Sequence, residues 1–263
     1  MNHRRACVVL SGQILDDLCA KAYLDSSAVV ICADGGARHC RRLGVVPDLL
    51  VGDLDSIDPD DLAWILQQQV PIQRYPAVKD QTDSELAIAV ALAHLDERQA
   101  KMTETGPHDV VLLASLGGRP DHVLANQLLA VRLVASGHNL RLSDGQSHLI
   151  ALSGRTSVGV QLSRLPANSQ ARTWAVSVIP ISDQVTGLSY TGLQYPLDQA
   201  SLELGSCQGV SNRPLVMPAE DDPSVPAVPS IEPLASMALT QKPPALTIRL
   251  ASGSVLIIIT PEV

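Results

Sequence analysis

In the first 150 residues, short aliphatic runs alternate with longer segments whose apolar side chains recur every three or four positions. The aliphatic runs predict buried strands, and the longer segments predict amphipathic helices. The predicted strands cover residues 7–10, 28–32, 49–51, 70–75, 110–113 and 140–142. The predicted helices cover residues 14–24, a short segment ending at 43, a segment beginning at 59, 83–99 and 121–135. This alternation predicts an α/β domain with a Rossmann-like parallel sheet, in which ligands bind beyond the carboxyl ends of the strands.

After residue 150 the helical periodicity ends and short β-type runs replace it, over residues 158–162, 173–179, 187–190, 202–204, 246–250 and 255–259. Such runs predict a small all-β sandwich. Ser252-Gly253 separates the last two runs, which predicts a hairpin between them. We therefore expect an α/β domain at residues 1–150, followed by a β-sandwich domain at residues 151–263.

A proline-rich segment interrupts the second domain. Residues 214–244 contain eight of the 18 prolines of the chain, together with several acids. A segment of this composition has little apolar surface to bury and therefore gains little by folding. It predicts a disordered insertion at about residues 213–244.

Composition narrows the range of partners. The net charge is −8 and aromatic residues make up only 2% of the chain, with no Phe, so neither a basic surface nor a stacking platform for nucleic-acid polymers is expected. No apolar run reaches the length of a membrane span. The five cysteines are odd in number and include no CxxC pair, which predicts reduced thiols and a cytoplasmic protein.

The strongest chemical signal is the acidic motif Gly52-Asp53-Leu54-Asp55, which directly follows a predicted buried strand. If the chain stays extended here, both carboxylates point to the same side. Two carboxylates that are two residues apart and point to the same side repel each other unless a cation lies between them. Oxygen-only ligands suit Mg²⁺, which in turn suits a polyphosphate substrate. The alternative is a pair of solvated loop acids that precede a helix cap.

Two glycine-containing motifs also follow predicted strands. In Asp34-Gly35-Gly36 the glycines would let backbone N–H groups approach a phosphate, although an ordinary strand-to-helix turn explains them equally well. The second motif, LGGRPDH at residues 116–122, combines glycines, Arg119 and a helix N-terminus, and this combination predicts an anion site. His122 and Asn126 would share one face of the helix that follows. No Walker A sequence is present, which excludes a P-loop.

The segment KDQTD at residues 79–83 precedes the longest predicted helix. Thr82 and Glu85 have the spacing of a capping box, so helix capping explains them as well as function does. Asp80 is not needed by the helix, and Lys79 beside it could pair with Asp80 or reach a phosphate.

Taken together, these motifs resemble those of the thiamine pyrophosphokinase family. The resemblance rests on ADGGA at 33–37, PDLLVGDLDSI at 47–57, KDQTD at 79–83 and LGGRPDH at 116–122 with Asn126. It continues into the second domain through SVIP at 177–180, VTGL at 185–188, GLQYPL at 192–197 and GVSN at 209–212. The order and spacing of these segments run through most of the chain.

The resemblance implies an α/β nucleotide domain followed by a β-sandwich, and a homodimer that binds thiamine between the α/β domain of one subunit and the sandwich of the other. The implied reaction transfers a pyrophosphoryl group from ATP to thiamine, giving thiamine diphosphate and AMP. The implied catalytic residues are Asp53, Asp55, Asp83 and Arg119, of which the three acids would bind Mg²⁺. The ATP-binding residues would be Asp34, Gly35, Gly36, Lys79, Asp80, Thr82, Gly118, Arg119, Asp121, His122 and Asn126. The thiamine-binding residues would be Tyr195, Ser211 and Asn212.

Two other functions stay open on the sequence. The run LVGDLD at 50–55 superficially resembles the start of phosphatases that form an aspartyl phosphate, although Ser56-Ile57 follows here where those enzymes have Gly-Thr or Gly-Val. The other alternative is a module that binds thiamine or its diphosphate without turnover. The complete acidic cluster favours an enzyme over such a sensor.

Overall fold

The computed structural model describes residues 2–76, 78, 80–101, 106–162, 165, 170–216, 228–233 and 244–262. Lys79 and most of the proline-rich segment lie outside the described residues. The chain divides into two units, one formed by Met1–Leu133 and Gly137–Gly145, the other by Val134–Ser136 and Gln146–Val263. The boundary predicted after residue 150 falls inside a strand of the second unit, His148–Ser153. Among the described helices, none has the combined length and apolar character needed to span a bilayer.

Within the described residues, the first unit contains a parallel sheet and five α-helices. Its strands are β1 (Asn2–Val9), β2 (Ser27–Ala33), β3 (Leu49–Gly52), β4 (Ile72–Arg74), β5 (Asp109–Leu113) and β6 (Asn139–Ser143). Its helices are α1 (Asp17–Ser26), α2 (Ala37–Leu43), α3 (Pro59–Gln67), α4 (Asp83–Gln99) and α5 (Pro120–Ala135). The strand order is β4-β3-β2-β1-β5-β6, with parallel pairing throughout. The predicted Rossmann-like α/β class is confirmed.

Capping side chains decide where the helices begin. Asp58 accepts a hydrogen bond from the Asp60 N–H at 2.9 Å and precedes Pro59, so α3 begins where predicted. Helix α1 begins later than the predicted residue 14, because Asp16 is its cap and accepts from the Cys19 N–H at 2.9 Å.

In the part of the chain that the structure describes, the second unit forms two antiparallel sheets. Its strands are β7 (His148–Ser153), β8 (Thr156–Gln161), β9 (Thr173–Pro180), β10 (Gln184–Thr191), β11 (Leu197–Glu203), β12 (Ser230–Pro233), β13 (Leu246–Leu250) and β14 (Ser254–Glu262). Strand β14 pairs with β7 and β9, and the other sheet has the order β11-β10-β13-β8-β12. Side chains from both sheets, including Trp174 and Tyr190, form one buried cluster between them. The predicted β-sandwich is confirmed.

The predicted hairpin between the last two strands is wrong. Strand β13 pairs with β8 and β10, whereas β14 pairs with β7 and β9 in the other sheet. The segment between them crosses from one sheet to the other, and Ser252 bridges to Thr186 on β10. Gly253 has a φ of +91°, and a Cβ atom there would lie 2.5 Å from the carbonyl oxygen of Gln184. Glycine is therefore required at this position because the chain passes close to β10, and not because it forms a two-residue hairpin turn.

The predicted disordered insertion is wrong for one stretch. Ser230–Pro233 forms β12, which pairs with β8 along four register positions from Ser230↔Gln161 to Pro233↔Val158. Because β12 is at the edge of its sheet, Pro233 removes no hydrogen bond from an inner ladder.

We predict that Gly253→Ala lowers the free energy of unfolding by more than about 2 kcal/mol, since the new methyl group meets backbone atoms and the positive φ is itself strained by roughly 1–2 kcal/mol. Gly205→Ala is the matched control: its φ is +86°, but a Cβ atom there has nothing within 4 Å. Urea unfolding of both variants measures the difference. Equal losses would contradict the close approach at the crossover.

Candidate functional site

A cleft of about 480 Å³ lies at the carboxyl ends of four strands of the first unit. Leu10 to Gly12 follow β1, Asp34 follows β2, Asp55 and Ser56 follow β3, and Ala114 and Ser115 follow β5. This is the edge of a parallel sheet at which ligands bind. The other residues that line the cleft are Ala33, Thr82, Asp83, Ser84, Gly117, Gly118, Arg119, His122, Val123 and Asn126.

Three carboxylates meet at this edge. Asp34, Asp53 and Asp55 each offer one oxygen atom, and these oxygens lie within 4.8 Å of one another. Asp34 is buried, Asp53 is half-buried and Asp55 is exposed. The sequence predicted Asp53, Asp55 and Asp83 as the metal ligands; within the described residues the structure groups Asp34 with the first two instead, and Asp83 lies outside the group. For Asp34, the family resemblance implies only a role in nucleotide binding.

A turn, and not an extended strand, brings these carboxylates together. Strand β3 ends at Gly52, and Leu54 has a φ of +71°, so the expected strand alternation of Asp53 and Asp55 is wrong. The Asp55 N–H donates to Asp53 Oδ1 at 3.1 Å, and the Leu54 N–H donates to Asp34 Oδ1 at 3.0 Å. A Cβ atom on Gly52 would lie 2.0 Å from that same Asp34 oxygen, so only glycine leaves room for the carboxylate.

Burial and neighbouring charge change the acidity of Asp34. Desolvation raises the pKa of its carboxyl group from 3.8 to about 6, and the negative charges of Asp83, Asp53 and Asp55 act in the same direction. The hydrogen bond from the Leu54 N–H opposes this shift. Burial and the neighbouring acids thus disfavour the ionised form of Asp34, and a divalent cation bound beside it would stabilise that form.

The first glycine motif has a packing role. Gly35 and Gly36 are buried and do not line the cleft. A Cβ atom on Gly36 would lie 2.1 Å from the carbonyl oxygen of Val9 at the end of β1. Gly36 therefore allows the short turn after β2 to lie directly on β1, and contact of either glycine with a nucleotide stays a prediction.

The second glycine motif opens into the cleft. Gly117 and Gly118 both have a φ of +80°, and a Cβ atom on either would have nothing within 4 Å. Backbone conformation, and not space, therefore requires glycine there. The next residue, Arg119, is exposed and forms a salt bridge of 2.6 Å with Asp121 in the first turn of α5. This pairing lowers the pKa of the Asp121 carboxyl group.

The N-terminus of α4 forms another wall of the cleft. Thr82 caps the helix by accepting from the Glu85 N–H at 3.2 Å, whereas the Glu85 side chain forms a salt bridge with Arg132. Thr82 and Asp83 line the cleft, but the exposed Asp80 does not. Ser84 also lines it, and its hydroxyl donates to Asn126 Oδ1 at 2.9 Å. Sequence reasoning missed Ser84, because a serine in the first turn of a helix has no distinctive pattern.

The predicted thiamine-binding residues lie in the second unit and differ in exposure. Tyr195 is 71% exposed and Ser211 is exposed, whereas Asn212 is buried. The Asn212 side chain accepts from the Tyr195 N–H at 3.1 Å and donates to the Tyr195 carbonyl oxygen at 2.7 Å. These bonds hold Tyr195 in place and occupy the Asn212 amide.

Comparison with known proteins decides the family. The family model described as "Thiamin pyrophosphokinase, catalytic domain" matches residues 20–142, and "Thiamin pyrophosphokinase, vitamin B1 binding domain" matches residues 164–215. The chain belongs to the thiamine pyrophosphokinase family. The family predicted from the motifs is thus confirmed, and the first match contains the whole acidic cluster.

Individual proteins are similar to the chain in sequence or in fold. The chain is 29% identical over 191 residues to thiamine pyrophosphokinase of Bacillus subtilis (strain 168), covering 72% of this chain and 80% of that one. The structure of the chain is similar to the crystal structure of thiamine pyrophosphokinase from Bacillus subtilis, with a TM-score of 0.71 and 23% sequence identity. The superposition covers 98% of this chain and all of that one, and it shows a shared fold. Thiamin pyrophosphokinase from Candida albicans has a TM-score of 0.71 at 16% identity, covering 98% of this chain and 89% of that one.

The raised pKa of Asp34 predicts a pH-dependent stability in the absence of divalent cations. The folded state binds this proton more tightly than the unfolded state, so the carboxyl group favours folding most below pH 3.8 and loses this contribution as pH rises through about 6. We expect Asp34→Asn, which keeps an oxygen acceptor for the Leu54 N–H, to increase the free energy of unfolding at pH 8 by about 1–3 kcal/mol. At pH 4 the effect should be small.

Urea unfolding in EDTA at both pH values measures this effect. Asp60→Asn, which removes an exposed acid in the first turn of α3, is the control and should not increase the free energy of unfolding at pH 8. An equal effect of Asp34→Asn at pH 4 and pH 8 would contradict the assignment.

Proposed function

We propose that this chain transfers a pyrophosphoryl group from ATP to the hydroxyethyl oxygen of thiamine, giving thiamine diphosphate and AMP. Membership of the thiamine pyrophosphokinase family supports the reaction. The observation that carries its chemistry is that Asp34 and Asp55 of the three-carboxylate cluster line the same cleft of the first unit as the turn Gly117-Gly118-Arg119. An enzyme that handles a triphosphate needs a site for a divalent cation and donors for the phosphate oxygens, and the residues of this cleft are chemically suited to both roles.

Asp34, Asp53 and Asp55 are the residues that would hold Mg²⁺. Their donor set consists only of carboxylate oxygens, which a hard cation prefers, and their oxygens lie close enough together for one ion. When bound, the cation would neutralise charge on the phosphate oxygens. We propose that Asp83, whose charge contributes to the raised pKa of Asp34, completes this acidic surface. One carboxylate of the cleft would accept the proton of the thiamine hydroxyl group.

The turn before α5 would bind the phosphates. Backbone N–H groups of Gly117 and Gly118 and the helix N-terminus favour an anion there. Arg119 is exposed, so its guanidinium group can exchange its salt bridge with Asp121 for a phosphate oxygen. In that position it would stabilise the charge that develops on the transferred group. Lys79, Asp80 and His122 stay predicted neighbours of the nucleotide.

For thiamine, we propose contact with Tyr195 and Ser211 of the second unit. The exposed ring of Tyr195 is available to an aromatic ligand, and Asn212 would act by holding it in place. As the family resemblance implies, we propose a homodimer with thiamine bound at the subunit interface.

We also propose a cytoplasmic location. It is supported by the five free cysteines, four of which are buried.

The first test is the release of AMP from ATP and Mg²⁺ by the purified chain, with and without thiamine. We expect AMP only when thiamine is present, matched by an equal amount of thiamine diphosphate. Release of free phosphate, with phosphate trapped on Asp53, would support an aspartyl phosphatase instead. Thiamine binding without AMP release would support a sensor.

We predict that Asp55→Ala reduces kcat by about a thousandfold or more, because it removes one ligand of the proposed cation and several kcal/mol of charge stabilisation with it. Asp55 is exposed, so the midpoint of thermal unfolding should change little. Asp60→Ala, also an exposed acid but outside the cluster, is the matched control and should keep normal turnover. Near-normal kcat in Asp55→Ala would refute the metal assignment.

A further inference from the structure

A chain of hydrogen bonds connects the first turn of α4 with α5. The Glu85 N–H donates to Thr82 Oγ1 at 3.2 Å, Thr82 Oγ1 lies 3.0 Å from Ser84 Oγ, and the Ser84 hydroxyl donates to Asn126 Oδ1 at 2.9 Å. Each hydroxyl has one hydrogen atom, and Ser84 gives its hydrogen to Asn126. The bond between the two hydroxyls is therefore donated by Thr82, and all three bonds run in one direction, towards Asn126.

The last bond orients the amide of Asn126. Asn126 is only 6% exposed and Ser84 only 8%, so solvent competes little for their bond. With Oδ1 facing Ser84, the Nδ2 group lies on the other side of the amide. Within the described part of the chain, no group accepts a hydrogen bond from Nδ2, although Asn126 lines the cleft. A donor held at the wall of a cleft in this way is available to a ligand.

We propose that Ser84 is a positioning residue, which orients the carboxamide of Asn126 so that Nδ2 donates to an oxygen atom of the bound nucleotide. The inference rests on the proposed function, because it takes Mg²⁺-ATP as the occupant of this cleft. Ser84 itself does not contact the nucleotide in this arrangement. Its role is to exclude the flipped amide, which would turn a carbonyl oxygen towards the oxygens of an anionic ligand and repel them.

Ser84 differs from an ordinary capping residue. Thr82 already caps α4, so the Ser84 hydroxyl is not needed to satisfy the backbone there. Loss of a purely structural hydroxyl would lower stability and leave ligand affinity unchanged. Loss of an orienting hydroxyl changes the affinity for the nucleotide selectively.

The test measures the Kd of Mg²⁺-ATP by calorimetry in the absence of thiamine, so that binding is separated from turnover. We expect Ser84→Ala to raise this Kd about three- to tenfold, the effect of one weakened hydrogen bond. In steady-state assays the KM for ATP should rise similarly, while kcat and the KM for thiamine stay within about twofold. Ser84→Thr, which keeps the hydroxyl donor, should restore the Kd to within about twofold of wild type.

A double-mutant cycle identifies the partner. If Ser84 acts through the Asn126 amide, S84A should change the Kd less than about twofold in the N126A background, where no amide is left to orient. Ser27→Ala is the matched control, since it removes another buried serine hydroxyl, which donates to the Tyr23 carbonyl oxygen at the amino end of β2, away from the cleft. It should leave the Kd unchanged.

Three results would overturn the inference: a normal Kd in S84A, the same loss in S84A with and without Asn126, or no recovery in a folded S84T protein. Failure of the proposed function would look different. A wild-type chain that binds Mg²⁺-ATP but releases no AMP with thiamine would refute the pyrophosphokinase reaction, and the positioning role of Ser84 would still be decided by the Kd values.

Discussion

The close approach of the Asp34 carboxylate to the backbone at Gly52 is the constraint on which the acidic cluster of the first unit depends. Asp34 follows β2, and Gly52 ends the neighbouring strand β3. The ends of two adjacent strands therefore place an acidic side chain next to a residue that has no Cβ atom. The absence of a Cβ atom at Gly52 allows the Leu54 N–H to bind the same carboxylate. The turn at residues 53–55 then brings two further acids to that point. Electrostatic repulsion within this group is the force that a bound cation would relieve.

The rest of the cleft is built from helix starts. Helix α4 begins at Asp83 and α5 at Pro120, and both N-termini lie at the edge of the sheet where the acids meet. Two helix N-termini provide positive ends beside a negative cluster, an arrangement suited to a ligand that carries both phosphates and a metal ion. The hydrogen bond between Ser84 and Asn126 joins these two helices at the wall of the cleft. The cap of α4 and the contact of α4 with α5 are therefore coupled through a few side chains.

In the second unit, the exposed aromatic ring of Tyr195 belongs to a short segment between two strands. Asn212 binds both backbone groups of Tyr195, and the bridge between Asn212 and Val176 anchors this segment to β9. A buried amide with satisfied hydrogen bonds fixes one conformation of the backbone, since the alternatives would leave its polar groups unpaired. The exposed Tyr195 ring is thus supported by a buried residue that the family resemblance implied as a ligand contact.

The sequence by itself determined the features that depend on neighbouring residues. Periodicity and capping residues located α3 at Asp58-Pro59 and α4 at 83–99, and the spaced motifs identified the family. Features that depend on distant residues were decided only by the tertiary structure. The pairing of β13 and β14 in different sheets, the strand formed by 230–233 and the inclusion of Asp34 in the acidic cluster all required contacts between segments far apart in the chain. Local patterns report conformational preference, whereas strand pairing and the meeting of side chains from separate loops are chosen by the burial and hydrogen bonding of the whole unit.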